Sequence, residues 1–296
     1  MALTVPSTVA STGGVRLAVH DLAPAADALP AVLISHATGF HGRCYLPMAR
    51  HLAVDTEPRL HAVGFDYRGH GDTPRPEGPV DWQRYGDDAE SMAAWLADAT
   101  GAPIDAFGHS MGGACLLIAA ARRPELFRRL VVFEPITFPP QGIGPGDGAG
   151  SDPDDNPLAQ GARRRRAVFA DHRAAIDNYA AKPPLSVFTP ESLEAYVVYG
   201  FGPDPEGVRL KCSPDTEAST FATGSRHDTW DRLPGIATET VVVSGVVQPM
   251  QPSSIARSVA ERLPHSRSLQ FDHMSHFGPM SHPAEMARVL ATELAR

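Results

Sequence analysis

Short, solid apolar runs alternate along the first half of the chain with longer stretches whose apolar side chains recur every three or four positions. Val15–Val19, Ala31–Ser35, Leu60–Phe65 and Leu130–Phe133 are runs of the first kind and predict strands. The run Ala-Val-Leu-Ile at Ala31 has no polar alternation, as expected of a strand covered on both faces. Arg43–Val54 and Asp87–Ala99 predict helices; in the second, Ala89, Met92, Ala93, Leu96 and Ala97 fall at helical spacing. Alternating strands and helices of this length imply a mostly parallel sheet with right-handed crossovers and helices on both faces.

The alternation breaks after Glu134. Phe138–Pro157 is rich in proline, glycine and aspartate and reads as an exposed, mobile connection. Leu158–Ala181, Glu191–Tyr199 and Pro214–Phe221 then predict helices. Sheet character returns with Glu239–Ser244, followed by a helix over Ser253–Leu263, a strand over Ser268–Phe271 and a last helix from Pro283, a residue suited to a first helical position. The expected organisation is an α/β core of residues 1–136 and 236–296, interrupted by a helical cap over 137–235.

Composition narrows the function classes. Of 296 residues 43% are apolar, which excludes global disorder, and the net charge of −8 argues against a nucleic-acid partner. No apolar run approaches the roughly 20 residues that cross a bilayer, and Met1–Ser11 lacks the basic start and apolar stretch of a secretory signal. Cys44, Cys115 and Cys212 are widely spaced and odd in number, which reads as reduced thiols in a cytoplasmic setting. No zinc-ligand spacing or phosphate loop is present, so no metal or cofactor is expected.

The chemistry gathers at Pro103–Gly113, where an apolar run ends in Gly108-His109-Ser110-Met111-Gly112 and a small-residue run, Ala114–Ala121, follows. A serine hydroxyl attacks only when held clear of its own secondary structure and within reach of a base. A sharp strand-to-helix bend does this, and the helix behind it aims free N–H groups at a developing oxyanion. In a parallel sheet the site lies beyond the carboxyl ends of the strands, and Ser110, Thr38 and Glu134 each lie just past such an end.

Four segments in order resemble the α/β-hydrolase family over nearly the whole chain. His36-Ala37-Thr38-Gly39 resembles its His-Gly-x motif, and Asp66-Tyr67-Arg68-Gly69-His70-Gly71-Asp72-Thr73 its Asp-x-Arg-Gly-x-Gly-x-Ser turn. Gly108–Gly113 resembles the nucleophile elbow, and His273-Met274-Ser275-His276-Phe277 the segment that carries the catalytic histidine. The resemblance implies a cap between the sixth and seventh core strands, Ser110 as nucleophile, and His276 rather than His273 as general base. It also implies the backbone N–H groups of Thr38 and Met111 as oxyanion hole. His36 reads as structural, His109 stays open, and His41, His51, His61 and His265 read as solvated surface groups.

The acid departs from the family pattern. Gln248 stands where the family carries aspartate after the seventh strand, and an amide cannot stabilise an imidazolium. Some relatives carry the acid after the sixth strand, where this chain has Glu134. The rival for Glu134 is a plain ion pair with an arginine; Asp228 and Asp272 are further candidates. Arg163–Arg166 read as a solvated helix face, with an anionic substrate as the alternative. Of the aromatics Phe169, Tyr179, Phe188, Tyr196, Tyr199, Phe201 and Trp230, most should be core and a few should line an apolar pocket. The expected protein is a serine hydrolase acting on a small or medium ester, lactone or thioester with an apolar portion. The rivals are a degenerate ligand-binding homologue and an acyl transferase.

Overall fold

A computed structural model of the chain describes residues 3–24, 29–143, 148, 150, 152 and 155–296. The turn before Ala31 and the proline- and glycine-rich connection after Phe138 lie partly outside the described residues.

The core begins with β1 (Thr8–Ala10), β2 (Arg16–Asp21) and β3 (Ala31–Ser35), then α1 (Leu46–Val54), β4 (His61–Phe65), α2 (Trp82–Thr100), β5 (Ile104–His109), α3 (Met111–Arg122) and β6 (Phe127–Phe133). The segment that follows holds α4 (Pro157–Arg163), β7 (Val168–Phe169), α5 (His172–Ala180), α6 (Pro190–Gly200), β8 (Phe201–Asp204), β9 (Gly207–Leu210), α7 (Pro214–Ala222) and α8 (Thr229–Arg232). The chain then returns with β10 (Glu239–Ser244), α9 (Ala256–Arg262), β11 (Ser266–Gln270), α10 (Gly278–Ser281) and α11 (Pro283–Ala295).

Among the described residues the main sheet has eight strands in the order β1-β2-β4-β3-β5-β6-β10-β11. β1 and β2 run antiparallel to their neighbours, whereas β4, β3, β5, β6, β10 and β11 are mutually parallel. Alternating residues of each central strand enter two different cores. Leu33, Ala106, Leu130, Val132 and Val242 pack with α2, α3 and α9 on one face. Val32, Ile34, Phe107, Val131, Phe133, Val241 and Val243 pack with α1 and α11 on the other. That two-sided burial is why these strands read as continuous apolar runs, each large side chain contributing about 1.5–3 kcal/mol when fully buried.

Register sets the site. Ser35 lies opposite Gly108, His109 opposite Phe133, and Phe133 opposite Val243. The residues at or just past these carboxyl ends therefore emerge along one rim: His36, Ser110, Glu134 and Ser244.

Element bounds differ from the periodicity where side chains cap or pair. The α2 helix starts at Trp82 because the Asp81 carboxylate accepts the Gln83 N–H at 2.9 Å. The expected helix over 158–181 is broken: α4 stops at Arg163, Val168 and Phe169 pair with β9, and Asp171 caps a new helix by accepting the Ala174 N–H at 2.7 Å. The segment expected to be wholly helical also contains an antiparallel sheet, β7-β9-β8. It sits on the core partly through main-chain oxygens. His41 Nε2 donates to the Tyr196 carbonyl at 3.1 Å, Trp82 Nε1 to the Thr220 carbonyl at 3.3 Å, and the Thr189 N–H to the Met280 carbonyl at 3.2 Å.

Candidate active site

Ser110 occupies the bend between β5 and α3 with φ 56° and ψ −114°. A β-carbon makes this left-handed conformation costly, on the order of 1–3 kcal/mol, so the surroundings must enforce it. The Ser110 N–H donates to the Phe133 carbonyl at 2.9 Å, and the Ser110 carbonyl accepts the N–H groups of Ala114 and Ile136, each at 3.2 Å. The bend is tight enough that only glycine fits beside it. A β-carbon on Gly108 would lie 2.6 Å from the Gly113 Cα, and one on Gly112 would lie 2.2 Å from the Ser35 carbonyl oxygen. The serine is 4% exposed, and its hydroxyl has no protein hydrogen bond among the described residues.

Glu134 leaves the end of β6 with φ 44° and is fully buried. One carboxylate oxygen accepts from Nδ1 of His276 at 2.6 Å, and the other accepts the Gly245 N–H at 2.9 Å. A carboxylate only accepts, so Nδ1 carries the hydrogen and Nε2 of the neutral ring is left as a base. Among the described residues no arginine pairs with Glu134, so its expected rival role as a plain ion pair does not hold. His276 follows β11 on a loop and keeps its side chain 21% exposed.

The other acid and base candidates lie elsewhere. His273 turns to solvent and bonds Glu285 at 2.9 Å. Asp228 engages Arg232 and Gln83, and Asp272 accepts from Gln270. Gln248 is exposed, and its main-chain N–H donates to the Ser253 hydroxyl. The structure thus brings Glu134 and His276 together and leaves Asp228, Asp272, His273 and Gln248 apart from them. The backbone of Ser110 bonds the carbonyl of Phe133, the residue before Glu134, and its neighbour His109 has a ring centre 5.0 Å from that of His276. Thr38 follows β3 by three residues and is 7% exposed; Met111, the first residue of α3, is fully buried. Neither backbone N–H has a protein partner among the described residues.

Sequence reasoning misplaced several polar groups. His41 and His61, expected at the surface, are buried, and His61 bonds Asp21 at 2.8 Å. Burial, which penalises the charged ring, pulls His36 down to about 3 and His41 and His70 to about 4, so all three are neutral at pH 7. Burial opposes ionisation of Asp66 too, but the His20 hydrogen bond and the electrostatic pull of His20, His41 and His36 together outweigh it and hold the carboxyl well below its usual range. Arg165 is no part of a solvated face. Its guanidinium pairs with Glu217 and donates to the hydroxyls of Tyr196 at 2.6 Å and Tyr179 at 3.1 Å. Only partners distant in sequence reveal this, so four consecutive arginines gave no local signal of it.

Apolar surroundings do gather beside the rim. Phe40, two residues past Thr38, contacts Phe188, Tyr196 and Phe277, with ring centres 5.3–6.3 Å apart. Phe169, Tyr179 and Phe201 instead pack on one another, Tyr199 lies under Arg43, and Trp230 under Arg262. For a metal, the described residues offer one cluster, His20, Asp66 and Asp72. Its carboxylates are already engaged, Asp66 by Gly42 and His20, and Asp72 by Arg43 and Lys211. Among the described residues no helix is long and apolar enough to cross a membrane.

The mostly parallel sheet, with a serine held at the bend between β5 and α3, is the frame in which comparison with known proteins places the chain. It belongs to the alpha/beta hydrolase family, whose model matches residues 31–289. Monoglyceride lipase of Homo sapiens is 31% identical over 110 residues, 36% of this chain and 35% of that protein. Lipase LipV of Mycobacterium tuberculosis is 32% identical over 104 residues, 35% of this chain and 36% of that protein. The matched region thus spans about a third of these relatives' length. Among solved structures, E-2-(acetamidomethylene)succinate hydrolase superposes over 99% of this chain and 100% of its own, with a TM-score of 0.79 at 20% identity. That likeness concerns the fold.

Proposed function

We propose that this chain is a serine hydrolase that cleaves small to medium esters, lactones or thioesters bearing an apolar portion, through an acyl-enzyme. Ser110 attacks the carbonyl carbon while Nε2 of His276 takes the hydroxyl proton. Glu134 holds the imidazole in the Nδ1–H tautomer and stabilises the imidazolium. The N–H groups of Thr38 and Met111 receive the oxyanion. His276 then protonates the leaving group, and water, deprotonated by the same imidazole, releases the acyl group. The segment over 137–235 acts as a cap, with Phe188 and Tyr196 presenting an apolar wall beside Phe40. Three free, buried cysteines suit a reducing cytoplasmic compartment.

The 2.6 Å contact of a buried, arginine-free carboxylate with His276 Nδ1 carries this reading. It also weighs against the degenerate homologue, whose main support was the amide at Gln248. A fluorophosphonate probe tests it: wild type is expected to label at Ser110 and Ser110→Ala not to label. Hydrolysis of p-nitrophenyl esters and lactones of graded chain length then ranks the substrates. Labelling that persists in Ser110→Ala, or no labelling of the wild type, would refute the serine mechanism. Product analysis with added alcohols or amines separates hydrolysis from acyl transfer.

A further inference from the structure

His109 lies inside the elbow, yet the mechanism above gives it no task. It is fully buried, with Phe40 and Phe133 edge-on to its ring. Both ring nitrogens are nevertheless used. Nε2 lies 2.9 Å from the carbonyl oxygen of His276, and Nδ1 lies 2.8 Å from the hydroxyl of Tyr45. The Tyr45 oxygen in turn accepts the N–H of Ala37, the residue before Thr38, at 3.3 Å.

The chemistry of these partners fixes the direction of every bond. A carbonyl only accepts, so Nε2 of His109 must carry the hydrogen. In a neutral ring Nδ1 is then an acceptor, and the Tyr45 O–H must donate to it. The Tyr45 oxygen keeps a lone pair for Ala37. Burial and the nearby His276 ring hold His109 far below its ordinary range, so the ring stays neutral. Burial likewise pushes the Tyr45 phenol well above its ordinary range, so the donor hydrogen is retained.

We infer that Tyr45 and His109 are positioning residues. Their one-directional hydrogen-bond chain, from Ala37 through Tyr45 and His109 to the His276 carbonyl, sets the spacing of the loops that carry the oxyanion donor, the nucleophile and the base. Each loop comes from a different strand end, and no other described hydrogen-bond chain joins all three. Glu134 orients the His276 ring, whereas His109 grips the main chain of the same residue. His276 is thus held by both its ring and its main chain. The inference rests on the hydrolase reading given above.

Three variants and two readouts test it. His109→Leu and Tyr45→Phe each break the chain, whereas His109→Gln offers a side-chain N–H near the position of Nε2. We expect His109→Leu to lower kcat about tenfold to a hundredfold, the scale of leaving a buried hydrogen-bond partner unpaired, with KM little changed. His109→Gln should recover most of that loss, and Tyr45→Phe should fall between them. Melting temperatures, read alongside, identify loss through unfolding. The second readout needs no turnover: nitrogen-15 NMR of labelled histidine is expected to show His109 neutral with hydrogen on Nε2 from pH 5 to 8. A ring that titrates in that window, or carries hydrogen on Nδ1, overturns the chain. Equal kcat losses in His109→Gln and His109→Leu at unchanged melting temperature overturn it as well. A wild type inert to both esters and fluorophosphonate refutes the hydrolase reading instead, and the NMR result still decides the tautomer.

Discussion

Ser110 and Glu134 share a conformational oddity: both are non-glycine residues with positive φ, and each follows directly on a buried parallel strand. Strain of this kind persists only where neighbours enforce it, and it concentrates at functional sites. If Glu134 is the acid, its charge matters more than its shape. Glu134→Gln is therefore expected to cut turnover by about 10⁴, as loss of the acid does in serine triads, while Gln248→Ala should stay near the wild type. Steady-state assays on one p-nitrophenyl ester compare the two directly; a crippled Gln248→Ala would reverse the assignment. Ser110 and Glu134 were legible in the sequence because a local motif or a strand end marks each. His41 and His61 were not, because what buries them arrives from elsewhere: the Tyr196 carbonyl 155 residues away and Asp21, 40 residues away.

At the scale of elements, the core was legible because solid apolar runs and helical spacing are strong signals, and β3 and β10 have the bounds their apolar runs indicate. The segment between β6 and β10 was less so. Its β7, β8 and β9 are two to four residues long, too short for a period to show, and Arg165 reports its role only through partners on α5, α6 and α7. Burial disfavours the Arg165 charge, but Tyr196, Glu217 and Tyr179 together hold the guanidinium well above its ordinary range. Arg165→Met would strand the buried Glu217 carboxylate, at a cost of about 3–5 kcal/mol. Urea denaturation should show most of that loss, and adding Glu217→Gln should restore part of it. A loss below about 1 kcal/mol would mark the pair as solvated.

For the whole molecule, the buried histidines govern acid stability. His36, His41, His70 and His227 all ionise far below 6.5 in the folded chain because burial penalises the charged ring. The unfolded chain therefore binds more protons between about pH 6.5 and 4, and stability must fall as pH falls through that window. Each such histidine contributes a slope of up to about 1.4 kcal/mol per pH unit. The depressed Asp66 adds loss in the same direction at still lower pH. Urea midpoints are accordingly expected to drop steeply from pH 6.5 to 4.5 and to be nearly flat from 7 to 8. A profile flat across pH 4.5–6.5 would show that these rings are solvated.

The seat of the segment over 137–235 has a consequence for how such a chain diversifies. At the contacts with His41, Trp82 and Thr189, the receiving group is a peptide oxygen, which every amino acid supplies. Two of the three donors, His41 and Trp82, belong to the core, and the third is itself a peptide N–H. At these three anchorages the segment can therefore exchange its own side chains freely, whereas Lys211 on Asp72 and Thr220 on Tyr85 tie it to particular residues.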